Sequence, residues 1–378
     1  MIFIALLSAA IQIQLPQVDS AVGRAIRTGV FPGAVVVIGT SQEVLYSRGF
    51  GHFSWSNNSA VPSPDSTLFD LASLTKVVAT TPAVMRLIET GQLRLSTRVQ
   101  GILPQFTGDG KETITVRHLL AHTSGLRAFL PLNELADTPE EAKELVLAEP
   151  LRWNPGSRVV YSDLNAMLLG WVVEAVTGTS LDVFAQSELF DVSGMTQTGF
   201  GVPRSARSRV MPVGLWRGHV ISGELHDQNA VTLGGVSGHA GLYSTGSDLA
   251  KVARFLLNGG TSSGQEIFSE RLIETFTRRQ QGNRALGWEM QDSTTRGSAG
   301  SLFSAESFGH GGFTGTSIWI DPNRDLFAIV LTNRVFGPRV RNSISLLREV
   351  RAQIADASAE WVDANCVVTL RNSPAVRC

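Results

Sequence analysis

A chain of 378 residues, 43% hydrophobic and 17% charged, can bury a large core and is not composed like a disordered segment. Its 32 Lys and Arg nearly cancel its 33 Asp and Glu, and a formal net charge of −1 supplies no basic field for nucleic acid. The length exceeds the size at which single cores usually stop growing, so the expectation is one enzyme-like unit of two packed lobes working on a small molecule or peptide.

The chain opens on Met1-Ile2-Phe3-Ile4-Ala5-Leu6-Leu7-Ser8-Ala9-Ala10-Ile11, an apolar run that ends in small residues. It resembles the core of an export signal, without a positively charged start, and is too short to cross a bilayer. Residues 1–15 are therefore read as an export signal or a buried N-terminal segment, with a secreted or periplasmic location expected.

Residues 34–39 and 43–49 read as two strands around the polar turn Thr40-Ser41-Gln42. Helical periodicity follows at 73–89, 116–121, 140–148, 163–176, 181–189 and 247–257. The Gly- and Ser-rich stretches 258–264 and 298–301 read as connectors. A second hairpin, 316–320 and 326–332, turns on Asp321-Pro322-Asn323-Arg324, and an amphipathic helix spans about 339–354.

Strands near both ends enclosing helices predict an α/β fold: an antiparallel sheet built from both chain ends, flanking helices and an inserted, mostly helical lobe. One domain spans 20–356, with the sheet lobe at about 20–72 and 285–356 and the helical lobe at about 73–284. Any active site would lie in the cleft between the lobes. A tail, 357–378, holds the two cysteines, Cys366 and Cys378, which either close a small disulfide ring in an oxidising compartment or stay free.

Three motifs carry chemistry. Ser73-Leu74-Thr75-Lys76 places a hydroxyl and an amine three residues apart, on one helical face. The amine can activate the hydroxyl if its pKa is lowered, and Val77, Val78 and Ala79 would supply dry surroundings. Tyr161-Ser162-Asp163 opens a helix; Tyr161 is either a half-buried core residue or, beside a lysine, a proton relay. Gly309-His310-Gly311-Gly312-Phe313 is either an ordinary glycine-rich turn or a strand edge along which substrate lies.

In this order the motifs resemble those of the penicillin-recognising serine hydrolases, in the branch of class C β-lactamases, serine D-alanyl-D-alanine peptidases and related esterases. Two further stretches resemble that family, 114–126 around His118-Leu119-Leu120-Ala121-His122-Thr123-Ser124-Gly125 and 234–245 around Gly234-Gly235-Val236-Ser237-Gly238-His239. The resemblance runs from about residue 22 to 354. It implies the β-lactamase/transpeptidase-like fold and attack by Ser73 on an ester, amide or β-lactam carbonyl. It further implies Lys76 as activating partner, Tyr161 as proton shuttle, and the backbone N–H groups of Ser73 and Phe313 as oxyanion hole.

Asp163, His310, Gly311 and Gly312 are implied to line the substrate, with no metal or organic cofactor. The sequence departs from the family pattern at His310, where a lysine often stands, and at Asp163, where asparagine is more frequent. A neutral histidine holds a carboxylate less strongly, and Asp163 adds charge that would keep Lys76 protonated. Ester, amide or peptidoglycan-derived substrates are thus favoured over efficient β-lactam turnover. The competing reading is a penicillin-binding sensor that is acylated without turnover.

Other readings are weaker. His118 and His122 have the i, i+4 spacing of a metal pair, but Leu119 stands where a zinc protease carries glutamate. The cluster 234–241 lacks the lysine of a phosphate loop, and Gly235-Val236-Ser237-Gly238 lacks the spacing of a nucleophile elbow. His226, Asp227 and His239 either line the cleft or brace its loops.

Overall fold

The computed structural model describes residues 13–216, 219–262, 264–292, 294, 296–369 and 375–377. Residues 1–12, which include the apolar run, and Cys378 lie outside the described residues; Cys366 is disulfide-bonded.

Among the described residues a six-stranded antiparallel sheet forms from β1 (Gly33–Gly39), β2 (Val44–Gly51), β3 (Glu289–Met290), β4 (Phe308–Gly311), β5 (Ser317–Asp321) and β6 (Leu326–Thr332). The spatial order is β3-β4-β5-β6-β1-β2, so the two chain ends meet where β1 pairs with β6. This is the α/β architecture expected from the sequence.

The central strands are buried along their whole length because both faces are covered. Successive side chains of a strand point to opposite faces. In β1, Ala34, Val36 and Ile38 enter one core with Val22 of helix α1 (Pro16–Arg27) and Leu347 and Ile354 of the C-terminal helix (Ser343–Asn365). Val35 and Val37 enter the other, larger core with Leu249 and Ala253 from helix Gly246–Leu257. Gly246 lets that helix approach the sheet, since a Cβ there would lie 2.8 Å from Val35 Cγ1.

Most expected elements form with ends shifted by one or two residues. The expected 181–189 helix is α-helical over Leu181–Ala185 and ends in a π turn, Gln186–Phe190. The expected 73–89 helix differs more. It resolves into a 3₁₀ turn, Ala72–Leu74, a wide π turn, Lys76–Thr80, and helix α2 (Thr81–Glu89). The turn widens just before Pro82, which has no N–H for the Val78 carbonyl: Thr81 N bonds back to Lys76 O, one residue beyond the Val77 carbonyl of a regular helix.

The C-terminal helix runs to Asn365, through residues expected to begin the tail, because Ala355, Ala359 and Val362 continue its apolar face. Helices Pro16–Arg27 and Glu270–Thr277 answer to no expectation from the sequence. No single helix among the described residues is long and apolar enough to cross a membrane.

Candidate active site

Ser73 sits on the 3₁₀ turn that follows the short strand Phe69–Asp70, itself paired with Leu242–Ser244. Three residues on, Lys76 is 3% exposed and brings its ammonium 3.0 Å from Ser73 Oγ, 2.8 Å from Asp163 Oδ1 and 3.0 Å from His239 O. Three oxygens from three different segments thus surround the ammonium.

The expected drop in the Lys76 pKa does not occur. Burial pulls it down, but the Asp163 carboxylate, followed by Tyr161 and the hydrogen bonds both make to the amine, outweighs burial and holds it above the ordinary lysine value. Lys76 is therefore cationic in the free site, in keeping with the charge that Asp163 adds.

His239 holds its carbonyl toward Lys76 from a braced loop. Its Nδ1 meets Ser237 Oγ at 2.7 Å, its Nε2 meets Asp227 Oδ1 at 3.1 Å, and Thr80 Oγ1 donates to Gly238 O at 2.7 Å. The loop 234–241 is thus a support for the amine.

Tyr161 precedes Ser162 and helix α3 (Asp163–Thr177). Its ring lies between His122, at a centroid distance of 4.8 Å, and His310, at 5.6 Å, with Lys76 Nζ 5.1 Å and the Arg284 guanidinium 5.0 Å from its centre. His122 is fully buried, which pushes its pKa well down and leaves it neutral; its Nδ1 accepts the Ser162 N–H at 3.1 Å. His118 instead accepts the Thr115 N–H at 3.1 Å, capping helix Val116–Leu120. The i, i+4 histidines therefore serve different loops.

Strand β4 forms the opposite wall. Burial, then the charges of Arg284 and Lys76, depress the His310 pKa well below its usual value, so the ring is neutral. His310 Nδ1 donates to Gly311 O at 2.9 Å, while its buried Nε2 has no hydrogen-bond partner. Gly312 is required by close approach: a Cβ there would lie 2.2 Å from Thr316 Oγ1 and 2.4 Å from Leu71 O. Phe313 is 61% exposed, its ring 5.3 Å from that of His226 and 4.9 Å from the Arg334 guanidinium.

Ser73, Tyr161, His310, Phe313, Arg284 and Arg351 face one cavity of about 700 Å³, floored by the nucleophile candidate. A groove of about 760 Å³ beside α2 and helix Glu270–Thr277 contains none of these six side chains.

A family model described as Beta-lactamase matches residues 18–352. The chain belongs to the beta-lactamase family. It is 30% identical over 362 residues to an Escherichia coli K12 protein named "Putative D-alanyl-D-alanine carboxypeptidase", covering 86% of this chain and 83% of that one. It is 33% identical over 366 residues to an N-acetylmuramyl-L-alanine amidase of Bacillus subtilis, covering 86% and 82%. Its fold matches EstCE1, a hydrolase with promiscuous acyltransferase activity, with a TM-score of 0.73 at 22% identity, over 91% of this chain and 98% of the other. A penicillin-binding protein homologue from Caulobacter crescentus matches with a TM-score of 0.69 at 20% identity, over 90% and 97%.

In this beta-lactamase-family site the sequence reading missed the arginines. Arg351 is 5% exposed; its Nη2 donates to Thr316 O at 2.7 Å, and its Nε has no hydrogen-bond partner. Burial, with Arg334 and Arg348 adding repulsion, lowers its pKa to about 9. Arg284 likewise buries Nε and Nη1 without hydrogen-bond partners. The one sequence signal for this wall was Arg348 and Arg351 at i, i+3 on a single helix face.

Proposed function

We propose that this beta-lactamase-family chain is a serine hydrolase that forms an acyl-enzyme on Ser73 and acts outside the cytoplasm on cell-wall-derived acyl compounds. The observation that carries the reading is the 3.0 Å contact between Ser73 Oγ and the buried Lys76 amine on the floor of a cavity. The names of the E. coli and B. subtilis relatives, both of cell-wall enzymes, support the substrate class.

Because Lys76 begins protonated, the proton route runs through Asp163. Substrate covering the site desolvates the ion pair and favours its neutral form, an amine and a carboxylic acid. The amine takes the Ser73 proton as Oγ bonds to the carbonyl carbon, and the Ser73 and Phe313 N–H groups hold the developing oxyanion. The Tyr161 hydroxyl then protonates the departing atom and is reloaded from Lys76. Water repeats the sequence to release the acid. An oxyanion-hole donor is worth about 10²–10³ in rate, and acid–base assistance about 10²–10⁴.

The cavity also bears on specificity. His310 is neutral, yet Arg284 and Arg351 line the same cavity and add positive charge beside it. Acyl substrates carrying a carboxylate, including β-lactams, therefore remain within reach of the site.

A panel of a short-chain aryl ester, a chromogenic cephalosporin and a D-Ala-D-Ala peptide tests the reading. Ser73→Ala is expected to abolish turnover of every substrate that the wild type accepts, and labelling by a fluorophosphonate. Retained labelling overturns the nucleophile assignment. A stoichiometric burst with no steady state identifies a penicillin-binding sensor instead.

A further inference from the structure

Asp70 lies three residues before Ser73 and is 2% exposed. Its carboxylate accepts two backbone N–H groups from different segments, Ala72 on Oδ1 at 2.9 Å and His226 on Oδ2 at 2.9 Å. Its main-chain carbonyl accepts Thr314 Oγ1 at 2.7 Å, and the next carbonyl, Leu71 O, accepts Thr316 Oγ1 at 3.0 Å. Among the described residues it forms no ion pair.

Burying a carboxylate without a cation costs free energy that two backbone hydrogen bonds offset only in part. The position of those bonds shows what the expense secures. Ala72 immediately precedes Ser73, and Thr314 immediately follows Phe313. The His226 ring packs 5.3 Å from the Phe313 ring. The side chain thus holds the residue before Ser73 and, through His226, the ring packed on Phe313, while the Asp70 main-chain carbonyl holds Thr314 on the other side of Phe313.

The backbone supplies an independent sign. Ala72 has φ 46°, a left-handed conformation that strains a non-glycine residue. Asp70 Oδ1 accepts the N–H of that same residue, closing the turn that aims Ser73.

We propose that Asp70 is a positioning residue that sets the spacing of the Ser73 and Phe313 N–H groups and thereby the strength of the oxyanion hole. It rests on the serine-hydrolase reading above. Asp70 touches no reacting atom. Replacing it acts on transition-state stabilisation, leaving ground-state binding in place.

The test is steady-state kinetics on a short-chain aryl ester for wild type, Ser73→Ala, Asp70→Asn, Thr314→Val and the double variant Asp70→Asn with Ala72→Gly. Asp70→Asn keeps the shape of the side chain but replaces one carboxylate oxygen by a donor. It is expected to lower kcat about 10–100-fold, a large part of what one oxyanion donor contributes, with KM within about threefold. Adding Ala72→Gly is expected to recover about tenfold in kcat, since glycine adopts φ 46° without strain.

Thr314→Val, which leaves the carboxylate and its two N–H partners alone, should lower kcat about fivefold, again without a matching change in KM. A kcat for Asp70→Asn within threefold of wild type overturns the proposal. So does a loss carried by KM, or a double variant no faster than Asp70→Asn. Esterase activity that survives Ser73→Ala overturns the nucleophile assignment and this inference with it; activity that needs Ser73 but ignores Asp70 overturns this inference alone.

Discussion

At Lys76 the sign of a single charge separates two chemistries. Burial alone would make the amine a free base, whereas Asp163 at 2.8 Å makes it an ammonium that must first give up a proton. Asp163→Asn removes that carboxylate and leaves burial to lower the Lys76 pKa, so the neutral amine becomes available at a lower pH than in the wild type. The variant also loses the acceptor for the Lys76 proton, so it works only once Lys76 is already neutral. kcat/KM is expected to fall about 10²-fold at pH 6, within the range of general-base effects, and the deficit to shrink toward pH 9. A deficit of equal size at both pH values sinks the route through Asp163. Ser73 and Lys76 were legible as a candidate pair from their i, i+3 spacing, and Tyr161 became a candidate only through the family resemblance. The direction of the Lys76 shift was not legible, since two opposing effects were visible and only a distance decides between them. Arg284 and Arg351 were illegible for a related reason: a lone arginine acquires meaning only when the fold withholds its partners.

Among the elements, the hairpins and most helices followed from period and turn chemistry, while the stretch after Ser73 did not behave as one helix. Pro82 was in plain sight, but a proline in the first turn of a helix ordinarily marks a start, and its effect on the preceding turn depends on what lies upstream. The π turn that results buries Lys76 and its neighbours Val77 to Thr80. Just after β4, the approach to Leu71, which precedes the 3₁₀ turn carrying Ser73, is tight as well. Gly312→Ala puts a methyl group within 2.4 Å of Leu71 O, a backbone atom, and 2.2 Å of Thr316 Oγ1, which is hydrogen-bonded to that same carbonyl. Overpacking of this kind costs about 1–3 kcal/mol. The expected result in urea denaturation is a loss in that range. Because Phe313 is the next residue, kcat should fall about tenfold or more as its N–H shifts against Ser73, within what one misplaced oxyanion donor costs. Unaltered kcat in a correctly folded Gly312→Ala protein means that the β4 end does not set the geometry of the nucleophile's surroundings.

For the whole molecule, the sheet is the element that two cores share. A chain of this length commonly divides into separately folding units, yet here neighbouring residues of one strand belong to opposite cores: Val36 packs toward α1 and the C-terminal helix, and Val37 toward helix Gly246–Leu257. Neither face can be stripped without exposing strands that the other face needs. Unfolding should therefore be a single cooperative event despite the two cores. Val36→Ala and Val37→Ala are the matched probes, since each deletes two buried methyl groups, one on each side of the sheet. Each is expected to cost roughly 1–3 kcal/mol, by comparison with other large-to-small core changes. Followed by calorimetry, both variants should lower one common transition, and the double variant should lower that same transition further. If Val37→Ala moves an early transition and Val36→Ala a late one, the two cores fold separately and the sheet is not the element they share. The cleft would then be an interface between two units, and the spacing of Ser73 from β4 would depend on how those units dock. A single transition places the active-site geometry under the stability of the whole fold, so that a substitution far from Ser73 in either core changes the folded fraction without changing kcat per folded molecule.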